Sequence, residues 1–343
     1  MSEINKRRWR ILGRVAVIAT LGSTAFGLAV APGEIMSAVR GAVTGLLMTA
    51  LLGSYSILTA AAGRKSLLGR LSFLPALALQ SAVYLVLILL GLELGALVPT
   101  GGPRGLQFDS SLVWSMLFSF FCVFAFNFVL QVNRILGQGE LFKFVIGRYH
   151  RPRPEERFFL FLDLVSSTAL AERLGGVRFF ALINQVYADI AEPILEQGGE
   201  IHKYVGDEVI VTWTAASGAA AGRCLDCALA IAATLEGLGS AYQAEFGVQP
   251  AFRYGLHFGT VMSGELGNVK KEIAYVGDPV NTAARLIDVC RDTGHRYIAS
   301  DAALDRVGPR AGIAALPLGP IRLRGKEATL PLFALSRVAG AAA

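Results

Sequence analysis

Glu200-Ile201-His202-Lys203-Tyr204-Val205-Gly206-Asp207-Glu208-Val209-Ile210-Val211-Thr212-Trp213 decides how the C-terminal part of the chain folds. It reads as two short β-rich runs joined by a Gly206-Asp207 turn, which is a hairpin signal. Ile201, Val205, Val209 and Val211 supply the apolar content, while Lys203 and Asp207 are polar and close to the turn. A carboxylate there is held by sheet on both sides, so its position is rigid. Taken alone, such a hairpin is more simply a surface feature with a solvated aspartate.

A second carboxylate upstream changes that balance. Phe158-Phe159-Leu160-Phe161-Leu162-Asp163-Leu164-Val165-Ser166-Ser167-Thr168 opens with an unbroken apolar run suited to a buried strand. The run stops at Asp163, and a Ser-Ser-Thr turn leads into helix-forming sequence. Two strand-end acids on one sheet suit a Mg²⁺–nucleotide site, because magnesium takes one or two carboxylates and completes its shell with water and phosphate. The turn's N–H groups and hydroxyls, at a helix N-terminus, suit phosphate.

Composition divides the 343 residues. The chain is 53% hydrophobic and 17% charged, and the apolar excess lies in the first 136 residues. The net charge of +6 comes from basic residues beside apolar segments, which orient a membrane protein; no aromatic-interleaved basic stripe points to nucleic acid. Cys122 lies in an apolar span, and Cys224, Cys227 and Cys290 fall in expected helices, so four cysteines make no disulfide framework. Cys224-Leu225-Asp226-Cys227 has redox or metal spacing but sits in an Ala/Leu-rich helical pattern, where core packing accounts for it. This cysteine usage suits a reducing cytoplasm.

Apolar runs at 11–31, 41–62, 71–92 and 112–132 are each near the roughly 20 residues that cross a bilayer. Pro32 after Ala29-Val30-Ala31 disfavours signal cleavage, so the first run reads as a retained span. Lys and Arg cluster in the N-terminal tail, in the Arg64-Lys65…Arg70 loop and after the fourth run. Four spans with both termini cytoplasmic follow. Glu93 reads as interfacial, and Asn127, with Gln131 nearby, as a helix–helix contact. Residues 132–149 continue as an amphipathic helix, which the prolines of Gly147-Arg148-Tyr149-His150-Arg151-Pro152-Arg153-Pro154 end. This elbow could couple the spans to the next domain or tether it to anionic lipid.

The expected domains are thus 1–132 in the membrane, a linker and elbow at 133–157, and a soluble domain at 158–343. In the last, a strand to Asp163 is followed by helices at 169–174 and 177–197, the hairpin, and a helix at 219–237. Runs at 251–258 and 273–276 form a further β pair, with 261–267 between them. The order β-α-α-β-β-α-β-β is α+β and close to a ferredoxin-like split βαβ. After Val276-Gly277, Asp278 reads as an N-cap and Pro279 as the first helical residue. Asn281 and Arg285, four apart, share a helix face, and a neutral donor beside a guanidinium fits an anionic transition state. His257 reads as a packed or capping histidine, and no Ser–His or Cys–His pair appears.

These stretches, with Leu323-Arg324-Gly325-Lys326, resemble the class III nucleotidyl cyclases, most closely the bacterial membrane-bound adenylate cyclases. The resemblance covers about residues 158–335. It implies two Mg²⁺ (or Mn²⁺) ions per site on Asp163, Asp207 and the Leu164 carbonyl. Ser167 and Thr168 would lie along the phosphates, Lys326 at the terminal phosphates, and Asn281 and Arg285 at the α-phosphate. It further implies ATP as substrate, a homodimer whose sites each draw the aspartates from one chain and the Asn/Arg pair from the other, and a place in the bacterial inner membrane. Lys203 is similar to the adenine-reading lysine. The second base-reading position falls on Ala274, which cannot accept a hydrogen bond, so a carbonyl or water would have to substitute. A guanylate or dual-specificity cyclase, or a silent nucleotide-binding module, are the alternatives. The four-span reading has a direct test: reporter fusions at Gly33 and Gly102 should report outside, and fusions at Lys65 and the C-terminus inside. A C-terminal fusion that reports outside would overturn it.

Overall fold

In the computed structural model, residues 3–30, 35–62, 71–97, 124, 127–128, 131–132, 137 and 140–338 are described. The chain divides into two compact units, residues 1–136 and 137–343. The first contains α1 (Glu3–Val30), α2 (Ile35–Ala62) and α3 (Phe73–Ala96). By length and apolarity, Ile35–Tyr55 of α2 and Phe73–Gly95 of α3 could cross a membrane. The first expected span differs. The apolar part of α1 is only Ala16–Ala29, which at ~1.5 Å per residue is roughly 21 Å and short of a bilayer core. Arg10 and Arg14 interrupt the run before it. The fourth expected span, 112–132, lies mostly outside the described residues.

The second unit begins with α4 (Glu140–Val145) and a turn, then β1 (Arg153–Leu164). After β1 come α5 (Ser167–Leu174), α6 (Gly176–Glu196), β2 (Glu200–Val205) and β3 (Glu208–Thr214). Next are α7 (Ala215–Ala219), a 3₁₀ turn, α8 (Arg223–Gly237), α9 (Gly239–Phe246), β4 (Phe252–Leu266) and β5 (Glu272–Val276). The unit closes with α10 (Asp278–Thr293), β6 (Tyr297–Ser300), α11 (Asp301–Val307), β7 (Ile313–Arg322) and β8 (Thr329–Arg337). The sheet order is β2-β3-β1-β4-β6-β8-β7, with β5 paired to β4. Strands β2-β3-β1-β4 form the expected ferredoxin-like core: β1 pairs antiparallel with both β3 and β4. Two details differ from the sequence reading. The runs at 251–258 and 261–267 are one long strand, β4, because β1 pairs with it continuously from Phe252 to Ser263. The 219–237 segment begins its regular helix only at Arg223, after Gly222 adopts φ 65°.

β1 is apolar throughout its middle because both its faces are covered. Phe158, Leu160, Leu162 and Leu164 face a core shared with Leu182, Val186 and Ile190 of α6 and Ile231 of α8. Cys224 and Cys227 lie in that core, and burial pushes the Cys224 thiol up to about 12. Phe159 and Phe161 face the other side, with Ala283 and Ile287 of α10. Gly255 of β4 lets α10 lie close: a Cβ there would stand 2.7 Å from the Ala283 carbonyl oxygen.

That second face of β1 carries charge at both ends. At one end Arg157 is 1% exposed, with Nη2 donating to Glu200 at 2.8 Å and Nη1 to Glu155 at 3.1 Å. Its Nε donates to Thr212 Oγ1 at 3.0 Å, and the guanidinium stacks 4.5 Å over the Tyr275 ring. Burial alone would lower the pKa of Arg157, but Tyr275, Glu200, Tyr149 and Glu155 outweigh it and raise it. Removing one partner of a buried ion pair strands the others. Arg157→Ala should therefore cost about 3 kcal/mol or more of stability, read by urea unfolding of the detergent-solubilised chain. A loss below about 1 kcal/mol, the worth of an exposed pair, would show that Glu155 and Glu200 simply resolvate.

Candidate active site

The other end of that β1 face is Asp163, with its side chain 5% exposed. Arg253 of β4 donates to Asp163 Oδ2 at 3.1 Å, and Arg291 of α10 donates to Oδ1 at 2.9 Å. Across the ladder Asp163 pairs with Glu208, the residue after Asp207, while Gly206 and Asp207 form the two-residue turn. Gly206 adopts φ 63°, the left-handed value that such tight hairpin turns favour at a glycine. Burial raises the pKa of Glu208, and the charges of Asp163 and Asp207 raise it further. Three carboxylates thus converge on one sheet end. Tyr187 of α6 steadies the turn by donating to the Gly206 carbonyl at 2.9 Å and stacking on Tyr204 at 4.5 Å.

This donor set fits a hard divalent cation. The candidate donors are carboxylate oxygens that repel one another, and both Asp163 oxygens already accept from guanidiniums. Among the described residues no three His, Cys, Asp or Glu side chains group so that they could hold a metal ion by themselves. One or two carboxylates are what a magnesium ion takes when substrate phosphates complete its shell. Leu164 is buried at the end of β1. Ser166 then turns the chain with φ 58°, the one positive φ outside glycine among the described residues, and Ser167 starts α5. Ser167 is half-buried and Thr168 exposed, in the first turn of a helix that has no side-chain cap. Strain of this kind at a non-glycine residue clusters where a loop must aim its groups.

A second group gathers at the start of α10. Gly277 is the N-cap and Asp278 the first helical residue, so the helix starts one position earlier than the sequence suggested, and the Asp278 side chain bonds other partners. Lys326 Nζ donates to Asp278 Oδ2 at 2.6 Å and also to Thr282, and that bond holds the Asp278 carboxyl below its ordinary range. Asn281 is exposed and Arg285 half-buried. The Lys326 loop lies against Arg285: a Cβ on Gly325 would stand 3.4 Å from Arg285 Nη2. Asn281, Arg285 and Lys326 are therefore neighbours at one helix end. His257 is buried and its Nδ1 lies 2.7 Å from Ser300 Oγ, and burial followed by Lys326 lowers its pKa to about 4. It is a packed, neutral histidine.

The third group is Lys203 on β2. Its Nζ donates to Glu272 Oε1 at 2.9 Å, and Glu272 precedes Ala274 by two residues on β5. Sequence reasoning missed Glu208, Arg253, Arg291, Tyr187 and Glu272. Only Glu208 left a local signal, as an acid adjoining Asp207; the others meet the site through the sheet register.

A four-stranded ferredoxin-like core, strand-end carboxylates and a helix bearing an Asn/Arg face thus make up one α+β domain. The model of the adenylate and guanylate cyclase catalytic domain matches residues 152–333, more than half of the chain, and the chain belongs to that family. It is 37% identical over 209 residues to adenylate cyclase 2 of Rhizobium meliloti (strain 1021), covering 61% of this chain and 58% of that one. It is 28% identical over 178 residues to adenylate cyclase 1 of the same organism, covering 51% of this chain and 26% of that one. The chain thus spans little more than half, or less, of these relatives. A bacterial light-regulated adenylyl cyclase shares the fold with a TM-score of 0.57 at 19% identity, over 67% of each chain.

Proposed function

We propose that this chain is a membrane-anchored adenylate cyclase that converts ATP to 3′,5′-cyclic AMP and pyrophosphate at sites shared across a homodimer. One observation carries the shared site. Arg291 reaches Asp163 of its own chain at 2.9 Å. Arg285 lies six residues earlier on the same helix, turned about 120° around it and roughly 9 Å back along it. The helix that holds the aspartate thus presents Asn281 and Arg285 elsewhere, to be met by another chain. Exposed Tyr204, Val205, Met262, Leu266, Val269 and Val276 give the two hairpins an apolar surface suited to such a partner.

Asp163, Asp207 and the Leu164 carbonyl would hold two Mg²⁺ (or Mn²⁺) ions, which supply charge neutralisation and lower the pKa of the ribose 3′-hydroxyl. Arg253 and Arg291 hold Asp163 in place and share its oxygens. Ser167, Thr168 and the N–H groups of the first turn of α5 meet phosphate oxygens. As the 3′-oxygen attacks the α-phosphate, Asn281 and Arg285 of the partner subunit meet the charge on its oxygens. Lys326 of the partner subunit, beside that pair and steadied by Asp278, faces the terminal phosphates and the departing pyrophosphate. Lys203 donates to adenine N1, and Ala274 stands beside the 6-amino group. The apolar α2 and α3 anchor the chain, and a bacterial inner membrane with the C-terminal domain on its cytoplasmic face would keep that domain with cellular ATP.

Mixed dimers test the shared site. Asp207→Ala and Arg285→Ala should each be nearly inactive alone, the latter by about a hundredfold or more, as for a lost oxyanion donor. Co-expressed, they should recover up to about a quarter of wild-type activity, because in a symmetric pair one site of each heterodimer inherits neither lesion. Confirmed heterodimers no more active than either parent would refute it.

A further inference from the structure

Ala274 leaves the base without an acceptor where adenine presents its 6-amino group, yet an acceptor lies two residues away. Glu272 and Ala274 stand at alternate positions of β5 and so on the same face. The Glu272 carboxylate is bonded to Lys203 at 2.9 Å, and its other oxygen is 4.0 Å from Lys270. The Lys203 bond, first among the causes, holds the Glu272 carboxyl below the usual range, so at neutral pH it only accepts.

The pairing is built into the fold. β2 is bulged between Ile201 and Lys203, and the His202 ring meets the edge of Tyr275 at 4.8 Å. Arg157 stacks on the other partner in that contact, Tyr275, so a buried cation fixes β5 against β2. Bulges beside sites re-aim side chains in this way. A donor and an acceptor consequently stand side by side where the purine edge is expected.

We propose that Glu272 is the acceptor half of the base-reading pair, taking the 6-amino group of adenine while Lys203 donates to N1. This rests on the cyclase reading above. Adenine offers an acceptor at position 1 and a donor at position 6; guanine offers the reverse, N1–H and O6. With the ribose and phosphates fixed, guanine sets N1–H against the Lys203 ammonium and O6 against the Glu272 carboxylate. Both contacts are repulsive, so one pair favours ATP and disfavours GTP.

The test compares ATP, GTP and purine riboside triphosphate, which lacks the 6-amino group, on the purified full chain in detergent. Wild type, Glu272→Ala, Glu272→Gln and the exposed control Lys271→Ala are measured as kcat/KM and by competition binding. In Glu272→Ala the ATP/GTP ratio should fall on the order of tenfold or more, the worth of one charge-assisted hydrogen bond. The advantage of ATP over purine riboside triphosphate should vanish with it. Glu272→Gln, which keeps a carbonyl acceptor, should retain part of both preferences, and Lys271→Ala all of them. A merely structural role would lower all three nucleotides together. Parallel losses, or unmoved ratios in an active enzyme, would overturn the proposal while leaving the cyclase reading intact. A wild type that cyclises neither ATP nor GTP would instead refute that reading, and the binding ratios would still decide whether Glu272 reads the base.

Discussion

A cation with 1% of its side chain exposed cannot stay in a protein interior unless every face of it is met. Arg157 is that cation, and the groups that meet it come from four strands. Glu155 is on its own strand, Glu200 begins β2, Thr212 is on β3 and Tyr275 is on β5. Lys143 of α4 reaches the same Glu200 oxygen at 3.2 Å, so the helix preceding the sheet joins the cluster. The carboxyl of Glu155 is held below its ordinary range because hydrogen bonds from Arg153 and Arg157 outweigh the opposing effect of burial. Release of this one guanidinium would loosen β2 and β5 together, and these strands carry Lys203 and Glu272.

The opposite end of the same strand face is organised by the inverse charge. Asp163, six residues on and roughly 20 Å away at ~3.3 Å per residue, is met by two guanidiniums instead of two carboxylates. Between them Phe159 and Phe161 pack against α10. The helix lies close because Gly255 and Gly259 leave it room; a Cβ at Gly259 would stand 2.5 Å from Pro279. Packing thus fixes the rotation of α10, and rotation decides which arginine turns to the chain's own aspartate and which does not. A core contact between apolar side chains therefore sets which arginine of α10 meets Asp163.

Much of this was legible in the sequence, for identifiable reasons. The apolar run to Asp163 and the Gly206-Asp207 turn are local signals, and the ferredoxin-like order follows from their spacing. The partners of Asp163 were not legible, because Arg253 is ninety residues and Arg291 one hundred and twenty-eight residues away, joined only by register and helix packing. Glu272 was hidden for a related reason: the bulge at His202 shifts which β2 residue meets β5. The continuity of β4 was missed since Gly259 reads as a break, whereas in the fold it is where a proline of α10 presses on the strand. In the N-terminal unit, the run at 11–31 gives a shorter apolar helix than its length suggested, because Arg14 lies inside it.

As proposed, the chain closes the ribose 3′-oxygen of ATP onto the α-phosphate of the same nucleotide. Purified full-length protein incubated with ATP and Mg²⁺ or Mn²⁺, with products identified by mass spectrometry and phosphorus NMR, tests it most directly. A cyclase gives 3′,5′-cyclic AMP and pyrophosphate in equal amounts, with no free phosphate formed in the same step. ADP with phosphate, or linear AMP with pyrophosphate and no cyclic product, would contradict a cyclase.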